Sequence, residues 1–284
     1  MRDLRASPTT KSGIFGASAF SLIPEVSSYL SESEREVIRQ PEIRVYYWRG
    51  VPNFGDVLAA PLLTRFSDVK ATWSPIDAAQ VATSGSVLEH IPAGWGGFVV
   101  GSGRLVEGSR LHLERAEIMA VRGPLTARSI GRPDCVIGDP GLLADELVTV
   151  RTRDIRLGLV PHWSDASLAR RPEFQRYDPI VINIRDDPLA VLRLIGRCQK
   201  IIASSLHGLI VADAFGIPRR FEPTPQFDRE GGLFKFRDYH ASIGMPLKIG
   251  ETQQANWHIV EDRKSELFDV FTDLGRLLGG SWWR

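Results

Sequence analysis

Cysteine is nearly missing from this chain. Cys135 and Cys198 are too few for a disulfide framework, and neither has metal-type spacing. No apolar run approaches the ~18 residues that a membrane-spanning helix requires. Charge of one sign is lacking as well. The 35 basic residues nearly cancel 34 acidic ones, which leaves +1 and no case for bulk binding to nucleic acid. No G-x-G-x-x-G and no G-x-x-x-x-G-K-[ST] follows a strand pattern, so dinucleotide and P-loop fingerprints are excluded. No cluster of histidine, cysteine and carboxylate has ligand spacing, so no structural zinc and no metal site is expected.

What is present is a globular composition, with 43% hydrophobic and 24% charged residues over 284 positions. That length accommodates two ordinary domains or one large one. Scarce cysteine points to a reduced, cytoplasmic protein. Residues 13–22 follow Arg2, Arg5 and Lys11 and imitate a signal peptide, but Asp3, Ser18 and Ser21 weaken that reading.

Residues 1–41 are polar and irregular, an N-terminal extension in which S-E-S-E-R-E at 31–36 opens a short helix. From Ile43 onward short β-type runs alternate with helical ones, and a glycine or small polar turn follows each strand. This is the pattern of a parallel, doubly wound α/β protein. The reading gives two Rossmann-like domains, 42–150 and 151–260, with a cleft between them and a C-terminal helix in 261–284. Residues 223–256, rich in Pro, Gly and aromatics, read as loop and lid.

The stretch 200–218, K-I-I-A-S-S-L-H-G-L-I-V-A-D-A-F-G-I-P, organises the second half. Ile201 to Ala203 end a strand, and Ser204 and Ser205 are N-cap residues. Leu206 to Phe215 form a helix that Gly216 and Pro218 close. Its apolar residues lie almost all round, which marks a buried helix. Gly208 in its first turn costs roughly 1 kcal/mol against alanine and offers room for something to approach the backbone. Free N–H groups and the positive dipole end make this an anion site, with His207 beside it. The competing reading of His207 is a hydrogen-bonded structural cap.

Other candidate groups also fall at the carboxyl ends of strands, where open α/β sheets bind ligands. They are Asn53 and Asp56, Arg104 after Gly101-Ser102-Gly103, Arg122, Asp139, His162 and Arg185. Arg122 stands at a turn glycine before a helix and offers a planar five-donor fork for carboxylate or phosphate. Asn53 and Asp56 can alternatively cap a helix, and Asp139 can brace a turn.

The ordered set N-F-G-D (53–56), T-S-G-S-V-L (83–88), G-S-G (101–103), A-V-R-G-P-L-T (120–126), G-D-P-G-L-L (138–143), V-P-H (160–162), the 204–218 stretch and F-K-F-R-D-Y (234–239) resembles the polysaccharide pyruvyl transferase family. It is most similar to the ketal pyruvyltransferases of xanthan-type exopolysaccharide synthesis, over residues 43–240. The resemblance implies a fold like the two-domain B-type glycosyltransferases, with the acceptor on the first half and the donor phosphate on the second. It implies phosphoenolpyruvate as donor, a sugar diol of a polysaccharide or glycolipid precursor as acceptor, release of inorganic phosphate, and no cofactor. A lipid-linked acceptor would place the protein at the inner face of the membrane.

With the resemblance, the catalytic set is His207 as acid/base or phosphate group, Arg122 for the donor anion and Asp56 for the acceptor hydroxyl. Asn53, Gly55, Ser86, Gly103, Arg104, His162, Ser204, Ser205, Leu206, Gly208, Arg185 and Lys235 form the substrate-binding set. Some relatives carry an arginine two residues before the turn histidine. Ser205 holds that place here, so Arg122, Arg185 or Lys235 must supply the cation. Two rival readings share the fold: a glycosyltransferase that releases a nucleotide, and a non-catalytic glycan-binding subunit.

Overall fold

The computed structural model describes residues 41–165, 167–224 and 232–279. The signal-like stretch and the 31–36 helix lie outside them. The strands are β1 (Glu42–Tyr46), β2 (Lys70–Trp73), β3 (Val81–Thr83), β4 (Phe98–Val100), β5 (Glu117–Val121), β6 (Val136–Ile137), β7 (Gly158–Val160), β8 (Ile180–Val181), β9 (Ile201–Ala203), β10 (Arg219–Phe221) and β11 (Thr252–Gln253). The helices are α1 (Phe54–Val57), α2 (Ala59–Phe66), α3 (Pro124–Ser129), α4 (Pro172–Gln175), α5 (Pro188–Gly196), α6 (Leu206–Ala214), α7 (Phe234–Ser242) and α8 (Trp257–Leu277). A 3₁₀ stretch covers Pro140–Leu147.

The first sheet runs β2-β1-β3-β4-β5-β6 with every neighbouring pair parallel. Its central strands are short and apolar because helices cover both faces, and β3 is buried at each position. The second runs β11-β10-β9-β7-β8, parallel except for the antiparallel edge strand β11. Both are doubly wound. From β1 the chain adds β2 on one side and then returns to place β3 on the other. From β7 it adds β8 and then returns to place β9. Each sheet therefore has one topological switch point, at β1/β3 and at β7/β9, and switch points are where α/β sheets bind ligands.

A continuous apolar cluster joins the two sheets, running through Leu58 and Leu62, Leu142, Leu206 and Ile210 to Phe271. Two further bonds fix the halves at the cleft: Phe54 N–H donates to the Ile184 carbonyl at 2.7 Å, and Ser84 on the first sheet meets His207 on the second. Helix α8 returns to the first sheet. Its Leu267 packs over Gly138, Ser67 Oγ donates to the Phe271 carbonyl at 2.8 Å, and Lys264 pairs with Asp145 at 2.8 Å. Among the described residues no helix is long and apolar enough to cross a membrane.

Two sequence expectations need correction. Strand β2 is an edge strand, only partly buried, and its short K-A-T-W run gives no strand signal. Residues 223–256 are not all loop and lid, because α7 lies within them and buries Phe234, Phe236, Asp238, Tyr239, His240 and Ser242. Most of its sequence is charged or polar, so no apolar stripe marks it. Tertiary partners hold Asp238 and Tyr239, while Ser242 and His240 Nδ1 bond to carbonyls of the helix itself.

Candidate active site

The loops after β1, β3, β7 and β9 converge on one cleft of about 530 Å³. Asn53 and Asp56 come from the first loop, Gly85 and Ser86 from the second, His162 and Trp163 from the third, and Ser205, Leu206 and His207 from the fourth. Lys235 of α7 closes one side, and Trp48, Val87, His90, Leu105 and Val106 complete the lining. The switch points of the two sheets thus face each other across a single space.

Short-range sequence explains the position of Asp56. Asn53 caps α1, its Oδ1 accepting from Gly55 N–H at 3.2 Å, while its Nδ2 donates to Asp56 Oδ2 at 2.9 Å. Gly85, at φ +83°, turns the chain in a conformation that favours glycine, and a Cβ there would overlap the Asp56 carboxylate. His207 is 5% exposed, at the bottom of the cleft. Its ring lies so close to Gly55 that any Cβ at that position would overlap it. Gly55 is therefore the residue that lets the two halves meet. Gly55→Ala must displace the His207 ring or the α1 backbone. A large loss of turnover, with a lowered melting temperature, is expected in parallel activity and thermal-unfolding measurements.

The electrostatics separate the two titratable groups. Burial raises Asp56 to about 7; Asp139 adds to the rise, and Lys235 and the Asn53 bond oppose it. Burial, then Arg122, then Lys235 push His207 down to about 3, so its ring is neutral at physiological pH. His162 falls to about 4 through burial and Lys235, against the pull of Asp165. Burial lifts Asp139, beneath His207, to about 6, although Gly141 N–H and Arg122 counteract it. The group poised near neutrality is thus Asp56.

Ser205 occupies the N-cap position of α6, but its hydroxyl makes no capping bond and lines the cleft. Ser204 is buried behind it and accepts from His162 N–H at 2.8 Å. Gly208 does not open the backbone to a ligand. A Cβ there would lie 2.8 Å from Val160 Cγ1 and 3.1 Å from Ala203 Cβ, so the glycine lets α6 pack against its own sheet. Gly103 likewise accommodates the Arg122 guanidinium rather than a substrate.

The arginines also differ from expectation. The Arg122 fork is fully buried and occupied. Nε donates to Asp238 Oδ2 at 3.2 Å, Nη1 to Ser86 Oγ at 2.6 Å and Nη2 to the Arg104 carbonyl at 2.6 Å. Its reach into the cleft is indirect, through Ser86. Arg104 holds the loop before Ser109, donating to the Ser109 hydroxyl at 2.7 Å with Glu89 at 3.5 Å from its Nε. Arg185 is exposed and donates to the Trp163 carbonyl at 3.3 Å. Among the described residues that line the cleft, none is an arginine and Lys235 is the lysine.

Helix α7 brings Lys235 to this position. Asp238, one turn on, accepts from Leu125 N–H and Thr126 N–H, each at 2.9 Å, from Thr126 Oγ1 at 2.6 Å and from Arg122. It thereby caps α3 from another helix, a helix whose own cap position, Gly123, has no side chain. Tyr239 donates to Asp213 Oδ2 at 2.8 Å, tying α7 to the second sheet. Sequence reasoning missed this double anchor, and it missed Trp48 and Trp163. Their rings lie 6.3 Å apart at the cleft and suit contact with the apolar face of a sugar.

Fold and site together define an α/β protein of two Rossmann-like sheets with one cleft where their switch points meet. The polysaccharide pyruvyl transferase family model matches residues 91–220. The succinoglycan biosynthesis protein ExoV of Rhizobium meliloti (strain 1021) is 31% identical over 138 residues, which are 46% of this chain and 42% of that protein. An uncharacterized protein, L143, of Acanthamoeba polyphaga mimivirus is 30% identical over 118 residues, 38% of this chain and 40% of that one. The chain spans about two fifths of the length of these curated relatives. The family match and ExoV support the polysaccharide pyruvyl transferase family. Among solved structures, that of the wall teichoic acid polymerase TagF aligns over 86% of this chain and 89% of its own, at a TM-score of 0.39 and 10% identity. Likeness at that level supports no functional comparison.

Proposed function

We propose that the protein is a ketal pyruvyltransferase that moves pyruvate from phosphoenolpyruvate onto two hydroxyls of a sugar in a polysaccharide or glycolipid precursor. The observation that carries this reading is the pairing, in one cleft, of a carboxyl group poised near neutrality with a neutral imidazole, beside a lysine and a helix N-terminus. The donor's phosphate and carboxylate take the amino end of α6, Ser205 and Lys235 on the second half. The acceptor diol lies between Asp56 of the first half and the two tryptophans, Trp48 of the first half and Trp163 of the second.

The proton balance closes with two residues. Protonated Asp56 gives its hydrogen to the methylene carbon of the enol, whose double-bond electrons form the new C–H bond. One sugar hydroxyl adds to the neighbouring carbon and gives its proton to neutral His207. The carbon–oxygen bond to phosphate then breaks with its electron pair on oxygen, and the phosphate takes the proton from His207. The second hydroxyl closes the ketal and returns a proton to Asp56. General acid–base groups of this kind contribute about 10²–10⁴-fold each. Arg122, fixed behind Ser86, adds positive potential where the phosphate departs.

The test is donor turnover with a panel of hexosides. Inorganic phosphate should appear only when a suitable glycoside is present, the glycoside should gain the mass of a bridging pyruvate ketal, and a chelator should leave the rate unchanged. Release of a nucleotide from a nucleotide sugar, with no consumption of phosphoenolpyruvate, would replace this reading with a glycosyltransferase.

A further inference from the structure

We infer that His207 carries its hydrogen on Nε2, held there by Ser84 and Asp139, and that its Nδ1 is the atom that takes the hydroxyl proton. This deepens the proposed function and rests on it for the catalytic consequence, but the tautomer itself stands on geometry alone. The Ser84 hydroxyl has one hydrogen, and it is committed: Oγ donates to the Gly55 carbonyl at 2.7 Å, and a carbonyl can only accept. Toward His207 Nε2, 3.4 Å away, Ser84 can therefore only accept. Asp139 Oδ1 lies 4.0 Å from the same nitrogen, beyond a hydrogen bond but close enough for its negative charge to favour a hydrogen there. A neutral imidazole has one N–H. On Nε2 that hydrogen faces the Ser84 oxygen, with the Asp139 carboxylate beyond it, whereas Nδ1 bonds to no polar group among the described residues.

Asp139 is then a positioning residue for His207. Bracing a turn accounts for one of its oxygens, since Oδ1 accepts from Gly141 N–H at 2.9 Å. Its Oδ2 is buried and without a hydrogen-bond partner among the described residues, 0% of the residue being exposed. A buried carboxylate oxygen left unpaired is costly. When His207 becomes charged, the imidazolium Nε2–H can tighten onto Oδ1, the carboxylate oxygen 4.0 Å from it, while Nδ1 holds the substrate proton. The charged groups around the ring act in both directions. Arg122, from the turn after β5, and Lys235, from α7, oppose protonation. Asp139, from the turn after β6, and Asp56, from α1, favour it when ionised. With the cations prevailing, the free ring stays neutral and works as an acceptor, and Asp139 limits the cost of the transient charge. The carboxylate's own rise to about 6 leaves it mostly ionised at neutral pH.

The experiment is two-bond ¹H–¹⁵N correlation NMR of the full chain labelled with ¹⁵N-histidine, with the His207 signals assigned by their loss in His207→Gln. The wild type should show Nε2 protonated and Nδ1 bare. In Asp139→Asn the amide can turn an N–H toward Nε2, which moves the imidazole hydrogen to Nδ1 and blocks the acceptor. The spectrum should report that switch. Turnover in the pyruvyl-transfer assay should fall on the order of 10²–10⁴-fold in kcat, with the donor KM unchanged. A wild-type ring protonated on Nδ1 overturns the inference, whether or not the variant folds. An Asp139→Asn protein that keeps both the wild-type tautomer and the wild-type kcat overturns the positioning role. Failure of the wild type to transfer pyruvate at all refutes the proposed function instead, and the spectrum still decides the tautomer.

Discussion

Asp56→Asn is expected to reduce turnover about 10²–10⁴-fold and, at the same time, to make the protein more stable at alkaline pH. The two effects have one cause. Asp56 is buried in the cleft and raised to about 7, so near neutrality it is divided between acid and carboxylate. As a proton donor to the enol carbon it works in the acid form. Wild-type kcat/KM should therefore fall as pH rises through about 7, and that limb should be missing from the residual activity of the variant. The stability effect follows from linkage. The folded-state value lies above the 3.8 of an unperturbed aspartate, so between these values the native state keeps a proton that the unfolded chain has released. Wild-type stability is lost progressively as pH rises through that window. Asparagine has no proton to lose. Three units correspond to about 4 kcal/mol as a ceiling, so denaturant titrations at about pH 8 should favour the variant and those near pH 4 should not. Asp139, also raised, leaves a smaller dependence of the same sign in both proteins. A pH limb that survives in Asp56→Asn would assign the proton to another group.

Arg122→Leu is expected to cost about 3–5 kcal/mol of stability, because it strands Asp238 as an uncompensated buried charge. Both side chains of this pair are fully buried, 3.2 Å apart. Arg122→Lys should fall between wild type and Arg122→Leu. Lysine keeps the charge but cannot reach Asp238, Ser86 and the Arg104 carbonyl at once. The sequence places Arg122 at a turn with its fork open to a carboxylate or phosphate, and the buried pair with Asp238 corrects that expectation. Activity should fall as well, since Asp238 anchors the helix that carries Lys235. Equilibrium unfolding in denaturant, paired with turnover per folded molecule, measures both. If Arg122→Leu unfolds at the wild-type midpoint, Asp238 is satisfied by α3 alone and Arg122 has no structural part in holding α7.

The sequence by itself determined whatever depends on neighbours along the chain. Short apolar runs followed by small polar turns define parallel strands with their ligand-binding ends. N-F-G-D, Ser84-Gly85-Ser86, Val160-Pro161-His162 and Ser204 to His207 all sit at such ends, so their common placement was legible. Capping and period also made α6 and α8 legible. What passes between distant segments was decided only by the tertiary structure. His207 meets Ser84 across 123 positions, and Arg122 meets Asp238 across 116. A glycine reads alike in a sequence whether it admits a ligand, as Gly208 was expected to, or admits Val160, as it does. An arginine fork reads alike whether it faces a substrate or Asp238. Helix α7 shows no clean apolar stripe because Asp238, His240 and Ser242 are buried alongside Phe234, Phe236 and Tyr239, and the partners of Asp238 and Tyr239 lie on other elements. Ionisation is the furthest from sequence, because burial is the largest influence on Asp56, Asp139 and His207, and burial is a property of the assembled core.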